Sequence, residues 1–466
     1  MRFPLLSKAA ALAAVIVVLL LALFRVEGVV HERQLRQHEA ESGLQESLAS
    51  PQTVLGPVLQ MRCVESWQRT EGEGKERKTV TQRREQVVTA WPRRLAATSE
   101  ATIEPRYRSL FKLNGYLAKS TASARFDALP APLPSADGAD ARMQCDRPTL
   151  AIALTDARGI RSAVVLAGGE TLPVQPGSLL KTQGQGFHVT LPQAVDAPLD
   201  VRVSIELAGT RSIGWVPVGQ ETSVELKSPW PHPSFSGRFL PVERAVTPAG
   251  FSARWEVSGL ATTAQAAIER GGALCEWRDD SAVYGSTAPA AVERNALPCI
   301  DTFGVGFIDP VNGYVLNDRA VKYGLLFIVL TFVPVALVEV MRRLRVHPIQ
   351  YLLVGFALTV FFLLLLSLSE HLRFWQAYLA ASAACTALLA FYGAHVLGGF
   401  RAGLAFGAGL GVLYGALYAL LQMEQTALVL GSLLMFAALA GVMVATRRID
   451  WYALMAQLRS EARTSA

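Results

Sequence analysis

Few residues of this chain have side chains suited to chemistry: five cysteines, seven histidines, and some carboxylates within or beside apolar runs. Cys63, Cys145, Cys275 and Cys299 fall in the polar middle of the chain, and Cys385 lies inside an apolar run. Structural disulfides are preferred over free thiols, as suits an oxidising compartment, and a metal site comes third because there is no Cys-x-x-Cys and no nearby paired histidine. Four cysteines allow three pairings. Pairing Cys275 with Cys299 encloses a turn-rich insertion holding Asp279, Asp280, Gly285, Pro289 and Pro298, and Cys63 with Cys145 follows by elimination. Disulfides persist in oxidising compartments, so these pairings are expected where the basic connectors of the apolar runs place the middle of the chain outside the cytosol.

No nucleophile stands with a base. Gly-x-Ser-x-Gly, His-Glu-x-x-His and Walker sequences are all missing, His188 and His232 are isolated, and Asp279-Asp280 reads as solvated. Neither an enzyme nor a cofactor is expected. Ionisable groups in apolar runs raise transport or proton relay instead. Glu339 is well inside such a run, but Arg342 and Arg343 follow within one turn, and a pair at the cytoplasmic interface accounts for it. For His395 and for Glu370-His371, near run ends, interfacial anchoring is preferred over proton handling. Gly403, Gly407, Gly411 and Gly415 recur every four residues, which predicts a packing face on one helix; a permeation path is the alternative. Gly407-Ala-Gly409-Leu-Gly411 follows no strand and is no phosphate loop.

Composition says what holds these residues. The chain is 51% hydrophobic and 18% charged, with mean hydropathy +0.29, whereas soluble domains run near about 25% charged. Residues 25–323 carry 33 basic and 33 acidic residues, so the ends, with 11 and 5, hold the whole +6. That excess sits beside apolar runs and reads as a topology signal, which makes the bilayer the partner and excludes nucleic acid.

The first run, residues 9–24, follows Arg2 and Lys8 and precedes Arg25. An uncleaved anchor is preferred over a cleaved signal, because no Ala-x-Ala follows. Five more spans are predicted at 324–341, 349–368, 374–397, 402–421 and 426–446. Arg342, Arg343 and Arg345, then Arg401, then Arg447 and Arg448 mark one side; connectors with Glu370, His371 and Arg373, or with Glu424, mark the other. Basic connectors favour the cytoplasm, so both termini belong there and residues 25–323 are periplasmic. Pro334 should kink its span.

The middle alternates with period two at 102–108, 150–154, 201–207 and 223–226, and Gly, Pro and Asp punctuate it. The predicted class is an α+β membrane protein with a mainly-β, sandwich-like periplasmic domain, in one lobe or two. Its parts are an N-terminal transmembrane anchor at 1–24, a helical stalk within 25–57 and the β domain at 58–323. A five-helix transmembrane bundle at 324–446 and a cytoplasmic tail at 447–466 follow. Stretches 66–78 and 129–141 read as exposed loops.

Several segments carry a family likeness. They are Trp230-Pro-His-Pro-Ser-Phe-Ser-Gly, Gly250-Phe-Ser-Ala-Arg-Trp-Glu-Val and Phe303-Gly-Val-Gly-Phe-Ile-Asp-Pro-Val. Stronger still are Asp318-Arg-Ala-Val-Lys-Tyr-Gly, Arg345-Val-His-Pro-Ile-Gln-Tyr-Leu-Leu-Val-Gly, Leu366-Ser-Leu-Ser-Glu-His and Arg447-Arg-Ile-Asp-Trp-Tyr. Together with Gln52-Thr-Val-Leu-Gly-Pro, they resemble the CreD family of bacterial inner-membrane proteins, over nearly the whole chain in order. The likeness is loose between about 60 and 225, and the segment 275–299 departs from it. It implies a non-catalytic protein of envelope integrity and of stress or colicin tolerance, with the β domain as a binding module for an envelope protein or lipid. It supplies no catalytic residues. A transporter or lipid-handling protein using the helix bundle is the alternative.

Reporter fusions test the topology. Fusions at Arg345, at Arg401 and after Arg448 should report the cytoplasm, and those at Gln68 and Glu424 the periplasm; a periplasmic signal at Arg401 overturns the scheme.

Overall fold

Apolar runs fold as helices, the form in which each backbone donor and acceptor is satisfied inside its own segment. The computed structural model describes residues 4–71, 78–108, 111–129, 131–135, 141–181, 183–275, 299–308, 313–342, 346–396, 399–423 and 427–447. Contacts divide the chain into a helical unit, Met1–His38 with Val311–Ala466, and a β unit, Glu39–Pro310. Helix α1 (Pro4–Ser47) runs 44 residues without a break. At 1.5 Å per residue it is about 66 Å long, roughly twice a bilayer core. Anchor and stalk are therefore one helix.

Strands β1 (Gln52–Glu71) and β2 (Lys78–Ala90) form a long hairpin, followed by β3 (Arg94–Arg108), β4 (Phe111–Phe126), β5 (Arg142–Cys145) and β6 (Thr149–Leu154). Next come β7 (Ile160–Ala167), β8 (Glu170–Leu172), β9 (Gln175–Pro176), β10 (Gly186–Thr190) and β11 (Leu199–Thr210). Then follow β12 (Ser212–Trp215), β13 (Glu221–Ser228), β14 (Pro233–Gly237), β15 (Glu243–Thr247) and β16 (Gly250–Ser258). A short helix, α2 (Ala264–Glu269), precedes β17 (Phe303–Phe307). One sheet runs β14-β17-β12-β1-β6-β10-β9, with β2 and β5 also on β1; the other runs β15-β16-β13-β3-β4-β11-β7-β8.

Two boundaries move. The β region begins at Gln52 rather than 58, because Gly56-Pro57 sits in a register irregularity of β1 instead of ending the preceding segment. Gly56 has φ +113, and a Cβ there would lie 2.7 Å from the Ala151 carbonyl, so this bend requires glycine. The stretch 66–78 is also no plain loop: β1 and β2 stay paired out to Glu71 opposite Lys78, and residues 72–77 lie outside the described residues. In the stretch 129–141, Leu129 bridges to Val195, while 130 and 136–140 lie outside the described residues.

The two sheets pack face to face. Leu55, Leu59 and Ile152 from one meet Phe126, Val203 and Leu207 from the other in a first core. A second core gathers Trp215, Phe251, Trp255 and Phe303. Ala97, Ala101 and Ala118 lie on the inner face beside these large rings. Alternation explains the inward set: Val201, Val203, Ile205 and Leu207 of β11 are buried, whereas Arg202, Ser204 and Glu206 face the other way.

The end of α1 is fastened within the β unit. The Asp156 carboxylate accepts from the Ser50 amide (2.9 Å) and Arg158 amide (3.0 Å) and pairs with the Arg158 guanidinium (2.6 Å). Arg158 also donates to the Glu46 carbonyl, and Arg211 pairs with Glu41 at 2.5 Å. Burial alone would raise the pKa of Asp156; the hydrogen bonds and the cationic Arg158 outweigh it and hold the carboxyl at about 2, against an ordinary 3.8.

The second helical segment starts at residue 313, not 324. Helix α3 (Gly313–Lys322) buries Leu316, Asn317, Ala320 and Val321 on one side, so residues 313–323 belong to the helical unit. It is followed by α4 (Gly324–Arg342), α5 (Pro348–Ser369), α6 (Phe374–Val396), α7 (Phe400–Gln422) and α8 (Ala427–Thr446). Among the described residues, α1, α5, α6 and α7 are each long and apolar enough to cross a membrane, and α3 and α4 reach that length and hydropathy only together, as a bent pair. Helix α8 adds a shorter apolar run, Val429–Val444. The 46° bend falls between α3 and α4; α4 itself continues through Pro334.

The glycine face holds only in part. Helix α7 buries Gly403, Gly407, Leu410, Tyr414, Leu417 and Leu421, a seam of alternating four- and three-residue steps. Four-residue steps advance about 400° and drift about 40° each, which carries Gly411 and Gly415 off that seam. A Cβ at Gly403 would meet Ala394 at 2.5 Å, and one at Gly407 would meet Ala390 at 2.7 Å. At Gly411 and Gly415 nothing lies within 4 Å.

Two measurements follow. Gly407→Leu should destabilise the detergent-solubilised protein by about 1–3 kcal/mol through overpacking, while Gly411→Leu leaves the melting temperature near wild type. Equal loss in both variants would restore the four-glycine face. A depressed native pKa at Asp156 contributes stability that is complete above about pH 4 and is lost as pH falls toward 2. Asp156→Asn should therefore lower stability at neutral pH and flatten the acid side of the profile between pH 4 and 2; parallel profiles would show that Asp156 is not the group responsible.

Candidate functional site

The β unit offers an open groove of about 450 Å³ on one face of the eight-stranded sheet. It exists because of register. Glu225 of β13 lies opposite Thr98 of β3, Thr98 opposite Thr121 of β4, and Thr121 opposite Ser204 of β11. Two residues along, on the same face, Lys227, Glu100, Lys119 and Glu206 form a second row of alternating sign. Ser162 and Val164 of β7 continue the two rows. The Thr121 and Ser204 hydroxyls approach to 3.5 Å, and Lys227 pairs with Glu225 at 2.8 Å. That hydrogen bond lowers the pKa of Glu225 and raises that of Lys227. Opposite charges facing across neighbouring strands also support the pairing itself. The floor of small hydroxyls leaves room between longer side chains, and those hydroxyls can both donate and accept.

The cysteines sit elsewhere in this unit. Cys63 and Cys145 stand opposite one another across β1 and β5 and are joined by a disulfide, Cα atoms 4.0 Å apart. Cys275 is joined to Cys299, with Cα atoms 5.5 Å apart; the insertion between them, with Asp279-Asp280, lies outside the described residues. Glu65, two residues beyond Cys63, is fully buried and takes Arg84 at 2.5 Å and both the amide and hydroxyl of Ser135. His188 is buried, its Nδ1 2.6 Å from the Gly177 carbonyl, and His232 lends its carbonyl to the Trp230 indole.

In the helical unit, polar side chains gather at helix ends. At the Pro348 end of α5, His347 and Gln350 form a reciprocal cap with Pro348 in the first helical position. Beside it, Glu339 accepts from the Tyr351 hydroxyl (2.7 Å) and the Val346 amide (3.1 Å), and so closes the turn between α4 and α5. The arginines expected to pair with it give no geometry: the Arg342 side chain, Arg343, Arg345 and Arg448 lie outside the described residues, as does Glu424. Arg401 opens α7 exposed, and Arg447 follows α8.

At the Ser369 end, Asn317 of α3 is buried and donates to the Ser369 hydroxyl (2.7 Å) and the Gly313 carbonyl (2.8 Å). Glu370 pairs with Arg33 of α1 at 3.6 Å and takes a hydrogen bond from Tyr314. His371 is exposed, and His395 turns its Nδ1 to the Phe391 carbonyl of its own helix. Cys385 is a buried free thiol whose sulfur is 3.7 Å from the Ala357 carbonyl.

Sequence reasoning singled out Glu339, Glu370 and the cysteines but missed Asn317, Tyr351, Arg33 and the groove. A polar Asn on the apolar side of an amphipathic segment was a usable signal for the first. The groove had none, since its residues come from five strands.

A family model described as inner membrane protein CreD matches residues 4–452. The chain is 32% identical over 463 residues to a protein named inner membrane protein CreD from Escherichia coli (strain K12), covering 97% of this chain and 95% of that one. Among solved structures, an M1 zinc metallopeptidase from Deinococcus radiodurans aligns at 11% identity over 36% of this chain and 38% of its own, with a TM-score of 0.21. An overlap that low carries no argument.

Proposed function

The chain belongs to the CreD family of inner membrane proteins, and from that premise we propose that it is a non-catalytic protein of envelope integrity, serving stress or colicin tolerance. In this reading the helices anchor it with both termini in the cytoplasm, and the β unit is a periplasmic binding module for another envelope component. The observation that carries the reading is that both disulfides fall in the one unit that also presents an open groove. Disulfides persist in the periplasm and are reduced in the cytosol, so they support that compartment for the groove. The family segments support a non-catalytic role. Trp255 packs against Phe235 at 5.9 Å and against Phe303 at 5.7 Å, which joins three of them, Gln52–Pro57 lies in β1, and Tyr351 and Ser369 from two others hold contacts at helix ends.

A transporter or lipid-handling protein would draw on Glu339, the buried carboxylate of the bundle among the described residues. Its two oxygens are engaged by Tyr351 and Val346 in closing a turn, which favours the anchoring role.

Non-reducing peptide mapping of membrane-extracted protein should yield linked Cys63–Cys145 and Cys275–Cys299 peptides, with Cys385 alkylated without reductant once the protein is unfolded. The bridges span separations of 82 and 24 residues, and in the loop-entropy model each stabilises the β unit by about 3–5 kcal/mol. Crosslinking in native membranes from residues 60–310 should capture envelope components. Free Cys275 and Cys299, together with cytosolic crosslinks, would sink the reading.

A further inference from the structure

We propose that the groove on the eight-stranded sheet binds a neutral, hydroxyl-rich glycan chain laid across the strands; this rests on the β unit being periplasmic. Four features of the groove select that class.

The first is where the groove lies. Strands β3, β4 and β11 each have a neighbour on both sides, so their backbone donors and acceptors are already committed to the sheet. An extended peptide gains its affinity by adding a strand to an open edge, and no such edge is present in the middle of this sheet. A ligand here is held by side chains.

The second is charge. Glu100, Glu206 and Glu225 stand among Lys119 and Lys227, interleaved rather than separated. Such a surface has almost no net field, so it steers neither a polyanion nor a polycation toward itself. Nucleic acid, phosphate-rich polymers and basic peptides are all poorly matched.

The third is the floor. Thr98, Thr121 and Ser204 offer groups that donate and accept at once, and Ser162, beside Glu206 in the second row, adds a fourth. Sugar hydroxyls do the same, and each can form two bonds of opposite sense with such a floor. Val164 is the apolar side chain on this face, since Ile205 turns into the core, and that is too little to take a lipid chain.

The fourth is length. Five strands separated by about 4.8 Å give a track of roughly 19 Å, enough for several sugar rings in a row. The flanking Glu and Lys side chains would then accept from and donate to ring substituents along its side.

The test uses the full chain in lipid nanodiscs and a tetrasaccharide of N-acetylglucosamine, followed by saturation-transfer NMR and titration. Saturable binding is expected in the wild type. Thr121→Val combined with Ser204→Ala removes two floor hydroxyls from half-buried positions, and affinity should fall roughly tenfold, the worth of one to two hydrogen bonds. The melting temperature of the double variant should stay unchanged, which separates lost contacts from lost fold. Absence of saturation, or equal affinity in the double variant, overturns the proposal. So does equal competition by a neutral tetrapeptide, which would assign the groove to peptide. Labelling of Thr121→Cys by a membrane-impermeant maleimide, in cells with a permeabilised outer membrane, separates the two levels. If the cysteine labels but the tetrasaccharide does not bind, the glycan fails and the periplasmic reading stands. If it does not label, the periplasmic reading fails and takes the glycan proposal with it.

Discussion

Hydrocarbon offers no partner to a backbone amide, and that one constraint organises the helical unit. Each apolar run closes its own hydrogen bonds as a helix, so the chain cannot use loops or open strands there. Polar side chains then collect where helices begin and end. Asn317 reaches Ser369, Arg33 reaches Glu370, and Glu339 takes Tyr351 and the Val346 amide. Each of these contacts satisfies a polar group at a helix end or on an adjoining turn. Glu339 and Glu370, read from the sequence as interfacial rather than proton-handling, hold contacts at helix ends in three dimensions.

The β unit answers to a different rule. Its sheets bury one face and leave the other polar, and the buried face is filled unevenly. Aliphatic residues fill the core around Leu55 and Phe126, whereas rings fill the core around Trp255. Trp255 and Phe303 pack at 5.7 Å, and Phe235 lies 5.9 Å from Trp255. Gly304 allows this: a Cβ there would lie 2.3 Å from the Ile213 carbonyl, so only glycine lets β17 lie this close to β12. The family likeness in this unit therefore reports a packing solution. The groove lies on the opposite, unconstrained face, where side-chain identity is free to follow a ligand.

The end of α1 shows how strongly local charge can act when it is partly buried. Asp156 takes two amides and a guanidinium, and Arg158 reaches back to the Glu46 carbonyl. Desolvation of the carboxylate opposes this arrangement, but the hydrogen bonds and the cationic Arg158 outweigh it and hold the pKa down. Neither residue stands out in the sequence, since Asp-Ala-Arg reads as an ordinary turn.

The sequence by itself determined the class and the limits of three helices in the bundle, while the start of the helical segment at Gly313 and the unbroken run of α1 to Ser47 came only with the structure. Apolar runs at 349–368, 374–397 and 402–421 became α5, α6 and α7 within two residues, because helix length and hydropathy are properties of consecutive residues. Alternation likewise located β6, β11 and β13. What depends on rotation or register was decided only by tertiary structure. The four glycines share a spacing but not a face, because four residues overshoot a turn and the seam follows 3.5. The hairpin of β1 and β2 continues through residues that read as loop, because cross-strand pairing, not local polarity, sets its length. Thr98, Thr121 and Ser204 are separated by up to 83 positions from one neighbour to the next, yet the ladder sets them side by side. A strand fixes which way a side chain points; only its neighbours decide what stands next to it.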